Sequence, residues 1–178
     1  HVDLGRHASI VNIVTGGVLV HSRVLNTGIH DALKPLLGRK DDPCAFEKVL
    51  YGFNPAKKET ASSAKIVRKL AIKPAQLQKF SDSFTDHAAK TARQIAGVLK
   101  AFEKNGGALA HDRILLSGNS GYTEYFAGVL YTATDIPVYD LSAASLAPGG
   151  QNAYIYNIST GIAVADILNP DQINFMTS

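Results

Sequence analysis

The sequence predicts an α/β fold: a mixed sheet with helices packed on it. Three observations predict it. A β-branched hairpin opens the chain, one long amphipathic helix occupies the middle, and a strand, a glycine loop, a helix and a second strand follow.

The first strands lie at Val2–Leu4 and over 9–14, where Ile10, Val11, Ile13 and Val14 favour extended backbone. Thr15-Gly16-Gly17 forms a turn, because glycine reaches the positive φ of a tight hairpin. The return strand is Val18–Leu25. Leu19, His21, Arg23 and Leu25 share one face of it, and Val18, Val20, Ser22 and Val24 the other.

Asn26-Thr27-Gly28 breaks the strand, and a helix over 29–37 stops at Gly38. Asp42 caps a short helix ending at Leu50, with Pro43 in its first turn. A further helix is expected over 60–72. Pro74–Lys104 carries the strongest pattern. Leu77, Phe80, Phe84, Ala88, Ala92, Ile95, Leu99 and Phe102 recur in steps of three and four, with Val98 beside them. So wide a stripe needs a sheet to cover it, and Asn105-Gly106-Gly107 ends the helix.

Ile114-Leu115-Leu116 is a short continuous apolar run within a strand over 113–117, as in buried parallel strands. The loop Gly118-Asn119-Ser120-Gly121 leads to a helix over 122–132 and a strand over 136–141. This order is a β-α-β unit. Residues 152–168 suit helix or strand equally, and the sequence holds no internal repeat.

The chain has 178 residues, 46% of them hydrophobic and 19% charged, which excludes a disordered chain and fits a single domain. Cys44 is the one cysteine, so an internal disulfide framework and multi-cysteine metal sites are excluded. A net charge of +3 is too mild for a nucleic-acid binder. The cations do cluster: Lys57, Lys58, Lys65, Arg68, Lys69, Lys73 and Lys79. They form either a solvated helix face or a docking surface for an acidic partner or anionic lipid. No apolar run reaches the ~18–20 residues of a membrane-spanning helix. The chain starts at His1 rather than Met, and Ile173-Asn174-Phe175-Met176 stops without a cap. Both suggest a processed chain or fragment whose natural sequence continues.

Several enzyme classes fail on spacing. G-x-x-x-x-G-K-[ST] and G-x-G-x-x-G after a strand are both absent. Ser120 occupies a strand-to-helix turn, but within G-N-S-G, and no histidine follows His111 to complete a triad. The six histidines form no H-x-x-x-H pair. His7, His21 and His30 could meet near the hairpin end, but ordinary surface histidines explain them better.

Two glycine loops remain. One is Val2-Asp3-Leu4-Gly5 before the hairpin, followed by Thr27-Gly28 before a helix. The other is Leu116-Ser117-Gly118-Asn119-Ser120-Gly121. Glycine lets backbone approach a ligand and aim N–H groups at it. Their order and separation resemble the second half of an actin-like ATPase, one lobe of that ribonuclease H-like fold. The first loop looks like the second phosphate loop of that superfamily, and the second like its adenosine loop.

Within the superfamily the sequence is similar to the PilM pilus-assembly and FtsA cell-division families. Asp112-Arg113-Ile114-Leu115-Leu116-Ser117-Gly118, Asp135-Ile136-Pro137-Val138 and Ser159-Thr160-Gly161-Ile162-Ala163-Val164-Ala165 carry the likeness, while 39–73 is unmatched. The tail around Ile173 and Phe175 resembles the segment that begins PilN. The chain therefore looks like the cytoplasmic part of a fused protein, as in the GspL and BfpC families.

The resemblance implies a single actin-like domain over 1–178, with 169–178 as a linker towards a following membrane segment. It implies a cytoplasmic scaffold at the inner membrane, in a type IV pilus or type II secretion assembly. Partners would be a PilN-like membrane protein, a polytopic inner-membrane protein, a secretion ATPase and, as a homodimer, a second copy. The docking residues would be Lys57, Lys58, Lys65, Arg68, Lys69, Lys73, Ile173 and Phe175, with no cofactor and no catalytic residue. The alternative is an ATP-binding protein, ATPase or kinase with magnesium. Asp3, Gly5, Ser9, Gly28, Gly118, Asn119 and Ser120 would then hold the nucleotide. The sequence departs from that family at Arg6-His7, where small residues admit a phosphate, and at Asn119, where a glycine is usual. It holds one D-x-G phosphate loop where two lobes would supply two.

Overall fold

A computed structural model of the chain describes residues 1–33, 74–107, 113–118 and 123–140, with backbone alone at Leu33, 74–77 and 123–124. The expected helices over 41–50 and 60–72, and the element over 152–168, lie outside the described residues.

Five strands form one sheet: β1 (Val2–Leu4), β2 (Ser9–Thr15), β3 (Val18–Leu25), β4 (Ile114–Gly118) and β5 (Val138–Asp140). Their order is β3-β2-β1-β4-β5. β2 is antiparallel to both neighbours, while β1/β4 and β4/β5 are parallel. β1, β3, β4 and β5 therefore run one way and β2 the other. This is the expected mixed sheet with packed helices.

The hairpin turn behaves as its composition requires. Gly16 and Gly17 have φ of 57° and 81°, the double positive geometry of a two-residue I′ turn. The register slips between Ile13 and Val14, a bulge at the far end of the hairpin. Among the described residues β3 is an edge strand. His21 and Leu25 are half-buried, and the rest of the strand is exposed.

Three helices are described: α1 (Ile29–Leu33), α2 (Pro74–Lys104) and α3 (Thr123–Thr134). α2 packs on α1, α3 and β3, while α3 packs on β4 and β5. The core joins Val2, Leu4, Val11 and Leu116 of the sheet to Phe80, Phe84, Ala88, Ala92 and Ile95 of α2 and Phe126 and Leu130 of α3. Each large side chain buried here contributes about 1.5–3 kcal/mol.

The α2 stripe is thus in place from Phe80 to Ile95. Its last members, Val98, Leu99 and Phe102, are half-buried. α2 closes as a Schellman motif: Gly106 has φ 87°, its N–H donates to Glu103 O at 3.0 Å, and Gly107 N–H donates to Phe102 O at 3.1 Å. No helix among the described residues is long and apolar enough to cross a membrane.

Candidate functional site

Because β1, β3 and β4 run the same way, their carboxyl ends share one edge of the sheet. In open α/β sheets this edge is where ligands bind. Five sequence-predicted residues gather there: Asp3, Gly5, Ser9, Gly28 and Gly118. Leu4 of β1 pairs with Ser9 on one side and Gly118 on the other. The Ser9 hydroxyl donates to Thr27 O at 2.8 Å and is buried. The turn after β1 and the turn after β3 are stitched together by two bonds. Ile29 N–H donates to Gly5 O at 3.2 Å and His30 N–H to Arg6 O at 2.9 Å.

This stitching requires close backbone approach. A Cβ at Gly28 would overlap the Arg6 carbonyl, and one at Gly118 would overlap the Leu4 carbonyl. A Cβ at Gly5 would likewise meet Ala8 O. The open faces of these glycines are filled by the chain's own backbone. The first amides of α1, normally free to bind an anion, already donate to the loop carbonyls. Gly28 N–H donates to Asp31 Oδ2 at 3.3 Å. The Arg6 side chain turns inward, with Nε out of contact with solvent.

Asp3 sits opposite Ser117 in the parallel β1/β4 pair. Ser117 Oγ donates to Asp3 Oδ1 at 3.4 Å and lies 2.7 Å from His1 Nε2. Ser117 is 3% exposed, so this small polar group is held inside the structure. The order of contacts is Asp–Ser–His, with serine in the middle. A nucleophilic triad needs histidine between the other two. Sequence reading missed the Ser117 contact. Its signal was the position of Ser117 directly before the strand-ending Gly118.

A second polar cluster lies behind the edge. Thr27 Oγ1 is 3.0 Å from Thr91 Oγ1 and 3.1 Å from His87 Nε2. It borders a cavity of about 440 Å³, lined also by Asn26, Asp31, Asp86 and Lys90. Sequence reading missed this cluster too, because Thr91 interrupts an otherwise apolar stripe. His7 and His30 do meet, with ring centroids 5.1 Å apart, whereas His21 stacks on Phe102 at 5.6 Å. No group of three metal-ligating side chains occurs among the described residues.

Asn119 and Ser120 lie outside the described residues. So do Lys57, Lys58, Lys65, Arg68, Lys69, Lys73, Ile173, Phe175 and the segment 169–178. Lys79 is described and stands exposed on α2.

No protein-family model matches the sequence, and no curated protein matches it. Solved structures do. The ethanolamine utilization protein EutJ from Carboxydothermus hydrogenoformans is 15% identical, with a TM-score of 0.38 over 78% of this chain and 42% of its own. Component A of the (R)-2-hydroxyglutaryl-CoA dehydratase from Acidaminococcus fermentans is 12% identical, with a TM-score of 0.41 over 90% and 61%. The activator of the 2-hydroxyisocaproyl-CoA dehydratase from Clostridium difficile, solved with bound ADPNP, is 8% identical, with a TM-score of 0.41 over 93% and 62%. The chain spans less than two thirds of the length of each.

Proposed function

We propose that this chain is a non-catalytic scaffold lobe. It binds other components of a type IV pilus or type II secretion assembly at the cytoplasmic face of the inner membrane. One observation carries the non-catalytic part. At the carboxyl edge of the sheet, Gly5, Gly28 and Gly118 face the chain's own backbone, and the first amides of α1 are occupied. The glycines act as fold glycines, closing strand ends onto each other. The assembly role rests on the likeness of the Asp112, Asp135 and Ser159 motifs and the tail to PilM-like and GspL-like chains. In that reading Lys57, Lys58, Lys65, Arg68, Lys69 and Lys73 dock a secretion ATPase or lipid. Ile173 and Phe175 lead towards a PilN-like membrane segment.

The test is calorimetric titration of the purified chain with Mg-ATP. No detectable heat up to millimolar nucleotide is the expected result. Saturable binding in the micromolar range would overturn it in favour of the second reading, a nucleotide-binding lobe. The gathering of Asp3, Gly5, Gly28 and Gly118 at one sheet edge favours that second reading. The assembly role is tested separately, by co-purification with pilus or secretion components before and after charge reversal across Lys57 to Lys73.

A further inference from the structure

Along the other long side of α2, the helix meets the edge strand β3 over only part of its length. A cavity of about 470 Å³ lies between them. The strand contributes His21, Arg23 and Leu25, alternate residues on one face, and the helix contributes Gln94, Gly97 and Ala101. The gap exists because the helix is small there: a Cβ at Gly97 would meet nothing within 4 Å. Its floor is apolar, with Leu25 and Val98 packed against the core and the Phe102 ring against His21.

The strand beside it is unusual for a free edge. Natural edge strands are blunted by charge, proline or shortness. β3 runs for eight residues with Arg23 as its one formally charged side chain. Val18 is 63%, Leu19 57% and Val24 56% exposed. Among the described residues nothing pairs with its outer side.

The rim is cationic. Lys90, Gln94, Gly97, Ala101 and Lys104 follow in steps of four and three and so share one helix face, all exposed. Arg93 and Lys100 lie directly beside that face, and Arg23 faces it from the strand. Glu103 lies roughly 120° away round the helix, at 3.6 residues per turn. Lys90 itself lines the neighbouring polar cavity with Asp31 and Asp86, and Gln94 borders both cavities. Among the described residues no carboxylate lines the groove.

We infer that this groove binds an extended, acidic segment of a partner protein as a sixth strand on β3. Main-chain hydrogen bonds to the free edge supply affinity. Side chains two apart on the added strand point to the α2 side, where apolar ones enter the gap over Gly97 and carboxylates meet Arg23 and Lys104. The inference does not depend on the assembly role proposed above, since it uses a different face and needs no nucleotide.

The experiment is selection of peptides from a random displayed library against the purified chain. Binding of the selected synthetic peptides is then measured by fluorescence anisotropy. The expected peptides carry both apolar and acidic residues at positions two apart, on one strand face, and protect the Val18–Leu25 amides from hydrogen exchange. They should lose about tenfold or more in affinity, some 1.4 kcal/mol, to Gly97→Leu, which fills the gap. Arg23→Glu should do the same by charge. Both positions are exposed, and unchanged circular dichroism would show that the fold is kept. The inference is overturned if no peptide is selected, if the peptides lack an acidic bias, or if Gly97→Leu binds them equally. A dimer in sedimentation that Gly97→Leu abolishes would also overturn it, since the occupant would then be a second copy.

Discussion

The hydroxyls of Thr27 and Thr91 share a buried hydrogen bond of 3.0 Å, across 64 residues of sequence. It ties the chain just after β3 to the middle of α2. Both residues are nearly inaccessible, at 5% and 1% exposed. A buried hydroxyl without a partner costs about 1–3 kcal/mol. Thr27 keeps a second contact, to His87 at 3.1 Å, so the loss of Thr91 leaves it partly satisfied.

Thr91→Val, which keeps the volume and removes the hydroxyl, should therefore destabilise by about 1 kcal/mol. Thr27→Val removes the hub of both contacts and should cost more. Urea unfolding at constant m-value measures both. Equal stability of the two variants would show that the Thr27–His87 contact contributes nothing.

Much of the fold is legible in the sequence because its signals are local. Gly16-Gly17 between β-branched runs specifies the hairpin by backbone sterics alone. The Phe80 to Ile95 stripe specifies the buried face of α2 by periodicity. The site was legible only in outline. That Gly5, Gly28 and Gly118 end strands or open helices follows from glycine chemistry. What fills the space beside each glycine does not, because Gly28 meets Arg6 and Gly118 meets Leu4 only once the strands are paired. Thr91 was hidden for the same reason: its partner is 64 residues away. The half-burial of Leu99 and Phe102 depends on the cavities they border, Leu99 with Val11 and Ile114 and Phe102 with His21 and Arg23, which no periodicity encodes.

Asp135 has φ 57° directly after α3, and its N–H donates to Tyr131 O at 2.8 Å. A left-handed residue in that position costs a β-carbon about 1 kcal/mol relative to glycine. Asp135→Gly should raise stability by up to about 1 kcal/mol, and a β-branched Asp135→Val should lower it by a similar amount or more. Thermal unfolding of the two variants, with opposite shifts in Tm, checks the assignment. Shifts of the same sign would refute it.

Phe84 is fully buried, with the Phe80 ring at 5.7 Å and the Tyr125 ring at 5.5 Å. It joins α2 to α3. Phe84→Ala should cost about 3–5 kcal/mol, enough to unfold a marginal domain. Phe84→Leu keeps most of the volume and should cost roughly half as much or less. Chemical denaturation separates them, and a mild Phe84→Ala would mean that the surrounding helices collapse into the cavity.

Gly28 and Gly97 offer a sharper contrast, since the same substitution should act with opposite sign. At Gly28 a methyl group would overlap the carbonyl of Arg6, which itself accepts the His30 amide. Backbone is the obstacle, so relief requires moving the turn after β1 and breaking its stitch to α1. Gly28→Ala should destabilise by about 2–3 kcal/mol, in the range of a strained, disrupted turn. At Gly97 the methyl group enters open space on an exposed helix face. Gly97→Ala should stabilise by about 1 kcal/mol through helix propensity and a less flexible unfolded chain. Urea midpoints of the two alanine variants against the parent chain read both effects at once. A neutral Gly28→Ala would mean that the turns after β1 and β3 are loosely joined. The closed edge from which the non-catalytic reading is drawn would then be open to a ligand.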